Sequence, residues 1–243
     1  MKNKTGNSKY GTETLEVLSQ AKKFNRWMYE TIRPHCSGKV LEIGSGIGNI
    51  SEYFFEEGFD ITLSDYENSY FPLLRQKFEG KINFNGIHLM DFSDKDLAKK
   101  FPDLIEKFDT VFALNVVEHI EDHVQALENA GKMLKKGGKV IILVPAFQSL
   151  YNSFDEQLEH FRRYTGKSLK ALLEVAGFDV VHSQYFNFMA ILGWFFSGKV
   201  LKKRIIPNNQ LKLFNALVPV WRILDLFTNR FAGVSVIQVG EKK

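Results

Sequence analysis

The sequence predicts an α/β fold: a mainly parallel sheet of seven strands, helices on both faces, and a helical insertion before the last strand. Three observations carry this. Short Val/Ile/Leu runs alternate with helix-spaced segments along the chain, and uninterrupted apolar runs of this kind form strands buried on both faces. The strands come at the spacing of βαβ units rather than of hairpins. The last two strand-like runs stand 46 residues apart, too far for a turn, so that stretch must hold helices of its own.

In chain order, apolar residues recur at three- and four-residue spacing from Thr12 (Leu15, Leu18, Ala21, Phe24, Met28, Ile32). Residues 12–34 therefore read as one N-terminal helical cap ending at Pro34. KVLEI (39–43) is the first strand, followed by a glycine-rich turn and a helix through Phe55. DITLS (60–64) is the second, with a helix around Ser69–Phe78 after it. Residues 82–90 form a weaker strand, 94–106 a helix, and DTVFAL (109–114) a buried strand. Asp122 to Leu134 is a helix stopped by Gly137-Gly138, ahead of the buried strand KVIILV (139–144). Thr165 to Ala176 is a helix closed by Gly177, and DVVHSQYF (179–186) and GVSVIQV (233–239) are strands. The expected organisation is one domain over 1–243, with an α/β core at 38–186 and 233–239 and an insertion at 187–232.

Composition narrows the function classes. With 243 residues, 44% hydrophobic and 25% charged, a chain of this size buries roughly 70% of its unfolded surface and needs no metal or disulfide to fold. The lone Cys36 excludes a disulfide framework and a four-cysteine zinc site, and suits a reducing cytosol. No signal-like apolar segment opens the chain. The longest uncharged stretch, Ser183 to Gly198, has 16 residues, short of the roughly 20 a spanning helix needs. A cytoplasmic protein that does not cross a membrane is expected. The net charge of +4 is uneven: residues 198–243 hold nine Lys/Arg against two acids. Basic residues beside apolar ones suit an anionic membrane surface or a phosphate, so peripheral membrane contact is a further expectation. The net-negative remainder speaks against nucleic acid.

The most informative segment is Leu41-Glu42-Ile43-Gly44-Ser45-Gly46-Ile47-Gly48-Asn49, between the first strand and a helix. Glycines there let the backbone turn sharply and bring helix amides toward a ligand. A dinucleotide turn needs G-x-G-x-x-G, but the third glycine comes one position early and Asn49 stands where that pattern wants glycine. Glu42 also sits two residues before the first glycine. A pyrophosphate gains nothing from that carboxylate, whereas a cationic amino-acid ligand does.

In these residues the chain resembles the class I S-adenosylmethionine-dependent methyltransferases, whose E/D-x-G-x-G-x-G turn is matched by Glu42, Gly44, Gly46 and Gly48. The match continues through Asp65 at the end of the second strand, Asp91-Phe92 after the third, FALNVVEHIED after the fourth, and Leu-Lys-x-Gly-Gly at 134–138. The resemblance covers about residues 38–182 and implies a Rossmann-like fold. It implies S-adenosylmethionine as donor and S-adenosylhomocysteine as product, with Asp65 on the ribose hydroxyls and Asp91 and Phe92 at the adenine. Ser45, Tyr66 and Asn115 complete the expected donor site. The plainer alternative makes Asp65 and Asp91 helix caps.

Methyl transfer is an in-line displacement with a pre-activated donor, so the protein supplies alignment and, for an acidic nucleophile, a base. The candidate bases are His119 in NVVEHIEDH and His160 in DEQLEHFRRY. Asp122 and Gln125 read as a helix N-cap pair, which separates His119 from the helix and leaves His123 as a solvated helix-start residue. Some members of the resembled family bind a divalent ion through E-x-x-E-H and a later histidine. Here Asn115 replaces the first Glu while Glu118, His119 and His160 remain, and losing one carboxylate lowers affinity for a hard cation. No metal is expected.

Substrate residues are expected in the N-terminal helix (Trp27), in the insertion (Trp194) and in HFRRYT, where Tyr164 stands beside Arg162 and Arg163, two cations that suit an anionic substrate or a surface ion pair. The insertion's apolar runs, with Lys199, Lys202, Lys203 and Arg204 beside them, form either a greasy pocket or membrane face, or two helices packed on the sheet with an ordinary basic rim. The expected reaction is methylation of an O or N atom on a small, partly apolar or lipid-linked acceptor. The alternatives are a nicotinamide oxidoreductase and a non-catalytic cofactor-binding membrane module.

Overall fold

The computed structural model describes residues 9–201 and 208–243, so Lys202, Lys203 and Arg204 of the expected basic rim lie outside the described residues. The chain opens with α1 (Lys9–Ser19) and α2 (Lys22–Ile32) where one helix was expected. The break falls at Ala21, whose ψ of 55° leaves the helical region. The amides of Gln20 and Ala21 turn back to Val17 and Leu18, and the Asn25 side-chain amide also donates to the Leu18 carbonyl. The interruption thus leaves that carbonyl satisfied.

The core follows as β1 (Lys39–Ile43), α3 (Ser51–Glu56), β2 (Asp60–Asp65), α4 (Phe71–Phe78), β3 (Phe84–Leu89), α5 (Leu97–Lys100), β4 (Phe108–Leu114), α6 (His123–Met133) and β5 (Leu134–Pro145). Then come α7 (Ser153–Gln157), α8 (Gly166–Val175), β6 (Phe178–Phe186), α9 (Ala190–Trp194) running into a π-helical turn (Phe195–Val200), α10 (Asn208–Thr228) and β7 (Ser235–Lys242). The helix expected over 94–106 is only α5 and a 3-10 turn at Pro102–Leu104. Pro102 lacks the amide a continuing helix needs and pushes Phe101 out of helical geometry. The short α7 was not expected; Asn152 caps it through a reciprocal capping box with Asp155.

The seven strands lie in the order β3-β2-β1-β4-β5-β7-β6. All pair in parallel except β7, which runs antiparallel to β5 and β6. Period-two alternation explains the two layers. Leu41, Val111, Ala113, Ile142 and Val144 face one core with α6 and α8, while Val40, Phe112, Ile141 and Leu143 face the other with α2, α3 and α4. Val218 of α10 joins the second core, which anchors the insertion. Strand order reverses between β1 and β4, and the carboxyl ends at such a switch point form a ligand crevice.

Candidate active site

The glycine turn sits at that crevice. Gly44, Gly46 and Gly48 have φ of 73°, 52° and 79°, values that favour glycine. A side chain on Gly44 would also run into Val116, and one on Gly48 would come within 2.7 Å of the Phe78 ring. The amides of Gly44 and Ser45 donate to the Ser64 carbonyl (2.8 and 3.0 Å). The Gly46 amide donates to Asp65 Oδ2 at 2.8 Å, and the Glu67 amide to Oδ1 at 2.9 Å. Asp65 therefore ties the turn to the end of β2, and each oxygen keeps a further lone pair for a ligand hydroxyl. Asp91 stands exposed at the rim with Oδ1 accepting from the Ser93 amide, and Phe92 is buried behind it.

Two carboxylates here are held out of water. Glu42 is buried and accepts from the Ser51 hydroxyl; burial pushes its carboxyl up to about 8. Burial pushes Asp65 up as well. A cationic or hydroxyl-bearing ligand would compensate both. The Ser45 side chain is buried beside the Glu42 carboxylate. Asn115, in the left-handed region at φ 55°, turns the chain out of β4; Asn tolerates that conformation better than most side chains.

Except for Gly48, whose side-chain position faces Phe78 and Leu74, the expected donor residues line one cavity of about 1830 Å³ that also reaches α1, α2 and the insertion. Ligand pockets commonly span about 300–1,000 Å³, so the space accommodates two ligands. Its lining combines polar groups (Glu42, Asp65, Asn115, Glu118, His119, His160) with apolar side chains of α2 and the insertion (Phe24, Trp194, Leu211, Phe214, Trp221), while Leu15 of α1 lies against Gly46 of the turn. Tyr66 stands exposed on its wall.

The loops after β4 and β5 meet on the wall of this cavity, where the Phe161 amide donates to the Glu118 carbonyl. His119 lies on a 3-10 turn (Val117–His119). Asp122 accepts from the Gln125 amide, so α6 starts beyond His119 as the sequence indicated. The His119 and His160 rings stand 4.6 Å apart, nearly perpendicular. His160 Nδ1 lies 2.8 Å from Asp155 Oδ1, and Arg163 Nε donates to the same oxygen at 2.8 Å. Arg163 also donates to the Ala146 carbonyl and lies over the Trp194 ring at 4.8 Å. Burial raises the Asp155 carboxyl, but the bonds and charges of His160 and Arg163 outweigh it and hold the group below the usual range.

Glu118 is wholly buried, and neither of its oxygens has a hydrogen-bond partner among the described residues; Oε1 is 4.0 Å from His160 Nε2. Burial pushes its carboxyl up to about 7. His119 is exposed and lines the cavity; crowding by surrounding protein, with the His160 ring beside it, lowers its pKa. Ligating atoms of Glu118, His119 and His160 lie within 4.8 Å of one another, so by donor type this trio could hold a divalent ion.

Trp27, Arg162 and Tyr164 correct the substrate expectation, since none of them lines this cavity. Trp27 is buried on the inner face of α2 against Phe186 (4.5 Å between rings). Arg162 donates to the carbonyls of Ile120 and Glu121, fastening the loop that carries His119. Tyr164 is buried with its hydroxyl 2.8 Å from His123 Nδ1, which makes His123 a half-buried partner rather than a solvated residue. Asp155 went unassigned in the sequence, and Arg163, expected with Arg162 as an anionic-substrate contact or a surface ion pair, is instead buried against Asp155. The only trace of this pair was the charge density of DEQLEHFRRY, which does not say which charges turn inward.

The class follows from fold and turn together. The methyltransferase-domain family matches residues 21–183, and the chain belongs to it, as a class I S-adenosylmethionine-dependent methyltransferase. Among curated relatives, it is 31% identical over 134 residues to the malonyl-[acyl-carrier protein] O-methyltransferase of Haemophilus ducreyi, covering 54% of this chain and 46% of that one. It is 30% identical over 115 residues to the ubiquinone biosynthesis O-methyltransferase of Pseudomonas syringae pv. tomato, covering 47% of each. The matches thus span about half the length of these relatives. A solved structure of the 1,6-didemethyltoxoflavin-N1-methyltransferase of Burkholderia thailandensis, bound to S-adenosylhomocysteine, superimposes with a TM-score of 0.56 at 18% identity, over 92% of this chain and 78% of that one. The methyl donor is S-adenosylmethionine. The nicotinamide and non-catalytic readings are set aside by the family.

Proposed function

We propose that this methyltransferase acts on an oxygen or nitrogen atom of a small acceptor with a substantial apolar part, carried on a lipid-like group, and that His160 is the base. The observation behind this is the single cavity lined by the glycine turn, by apolar side chains of the insertion and by His160. Two relatives named as O-methyltransferases favour an oxygen nucleophile.

When bound, S-adenosylmethionine supplies a methyl group on a sulfonium, ready for in-line displacement. Glu42, Gly44, Ser45, Gly46, Asp65, Tyr66, Asp91, Phe92 and Asn115 would hold it, with Gly48 shaping the turn behind them, and the two desolvated carboxylates fit a ligand rich in hydroxyls and positive charge. The chain's own work is alignment and proton acceptance. Asp155 holds the Nδ1 edge of His160, which leaves Nε2 as the nitrogen to receive the acceptor's proton. Glu118, ionised, would stabilise the imidazolium that results. The reading includes work at a membrane surface rather than across it: among the described residues no helix is long and apolar enough to cross a membrane.

The test is transfer of labelled methyl from S-adenosylmethionine into a cell extract, with mass spectrometry of organic and aqueous fractions. Label in an apolar O- or N-methylated product supports the reading. Label confined to strongly polar products, or to carbon, overturns it.

A further inference from the structure

We infer that the outer face of the insertion docks on an anionic bilayer and that the active-site cavity opens onto that face. This deepens the acceptor reading above and rests on it for the identity of what enters. The observation is an apolar surface against which none of the described residues packs. Leu213, Val220, Leu224 and Phe227 of α10 are exposed, Leu213 by 63% and Phe227 by 73%. They follow one another at seven, four and three residues, a single stripe along the helix. Leu192, Phe195, Phe196 and Leu201 are exposed on the preceding segment, which Ser197 Oγ ties to α10 through Gln210 at 3.0 Å. Contiguous exposed apolar area of this kind marks an interaction surface.

Charge selects the partner. Residues 187–232 contain one acid, Asp225, and it is buried, accepting from the amides of Asn187 and Phe188. Lys199, Lys212, Arg222 and Arg230 are all exposed on the same insertion. By helical spacing Lys212 flanks the stripe on the side of Ile223, and Arg230 stands exposed in the turn just past the end of α10, whereas Arg222 is paired with Glu30. A helix with an apolar face, cations along its edge and no exposed acid suits in-plane seating among anionic headgroups. Continuity with the cavity gives the seating a purpose. Leu213 and Gly193 are exposed on the insertion and also line the cavity wall, next to Leu217 and Trp194. An apolar acceptor would pass from the acyl layer to His160 without crossing water.

The experiment is co-sedimentation with vesicles of phosphatidylcholine, with and without phosphatidylglycerol, at low and physiological salt. Every protein is also titrated with S-adenosylhomocysteine and checked for oligomeric state by light scattering. The wild type should bind the anionic vesicles preferentially. Lys212→Gln/Arg230→Gln should weaken that binding about tenfold or more, and Leu224→Ser/Phe227→Ser should abolish the part that survives physiological salt. S-adenosylhomocysteine affinity should stay unchanged in all three proteins. Vesicle binding that neither variant weakens overturns the inference, as does a wild type that ignores both vesicles. A dimer that Leu224→Ser/Phe227→Ser dissolves, without vesicle binding, overturns it in favour of a second copy of the chain. In each of these cases intact S-adenosylhomocysteine binding and methyl transfer leave the acceptor reading standing.

Discussion

His160 Nδ1 lies 2.8 Å from Asp155 Oδ1, and the opposite ring nitrogen lies 4.0 Å from a Glu118 carboxylate oxygen with no hydrogen-bond partner among the described residues. One carboxylate orients the imidazole and the other stands ready to balance its charge. His119 is exposed on the cavity wall, and no carboxylate among the described residues is hydrogen-bonded to its ring. His160→Ala should therefore lower turnover by ~10²–10⁴-fold with donor affinity intact, and His119→Ala by much less. If both variants keep full turnover, catalysis is alignment alone. Chelation should leave the wild-type rate unchanged; a loss restored by Mg²⁺ would assign the Glu118, His119, His160 trio to a cation.

The rate should also depend on pH in a definite direction. Burial pushes Glu118 up to about 7. Below that pH it is protonated and cannot balance an imidazolium; above it, it can. Turnover should rise as pH climbs through about 7, and Glu118→Gln should displace or flatten that limb. A profile identical in the two proteins would remove Glu118 from the reaction.

Asp65→Ala should weaken S-adenosylhomocysteine binding by about 1.5–3 kcal/mol, the scale of hydrogen bonds to a charged group. The loss would combine ligand contacts with slackening of the turn, whose Gly46 amide Asp65 holds. Unchanged affinity in calorimetry would rule out the ribose assignment.

Glu42 should show a conflict between binding and stability. Its folded-state pKa, about 8 through burial, exceeds that of the unfolded chain. The fold keeps a proton that the unfolded state releases, so stability declines as pH rises from about 4.5 to 8. Glu42→Gln escapes that decline and should be the more stable protein at pH 8 without ligand, while binding donor more weakly. Urea denaturation of both proteins at pH 5 and pH 8 checks it.

Asp155 carries the opposite sign. Its pKa is lowered in the fold, so its contribution is complete above about pH 4 and is lost as pH falls below. Asp155→Ala strands Arg163 in the interior and should cost about 3–5 kcal/mol, read from the shift in urea midpoint.

What could be read from the sequence was what is local. The glycine turn, Asp65 and the strand runs each declare themselves within a few residues, because φ, strand periodicity and burial on both faces constrain neighbouring positions. The break at Ala21 and the shortening of the 94–106 helix at Pro102 were less visible: apolar spacing continues across the first, and the second interrupts a segment whose periodicity alone looked helical. The charge cluster at 155–163 was visible as a cluster only. Which of its members turn inward depends on the loops after β4 and β5 meeting, a tertiary event. Trp27 and Trp194 are equally aromatic in sequence, yet the packing of α2 on the sheet hides one while α9 presents the other to the cavity.

The placement of Arg163, hydrogen-bonded to Asp155 and stacked on Trp194, bears on how specificity can change in this molecule. Trp194 belongs to the insertion that surrounds the acceptor; Asp155 belongs to the machinery that orients the base. The guanidinium makes them one mechanical unit. The insertion is therefore not an interchangeable module. Grafting it from a relative to alter acceptor choice would remove one wall of the Arg163 site and slacken His160, unless residues 152–163 were transplanted with it.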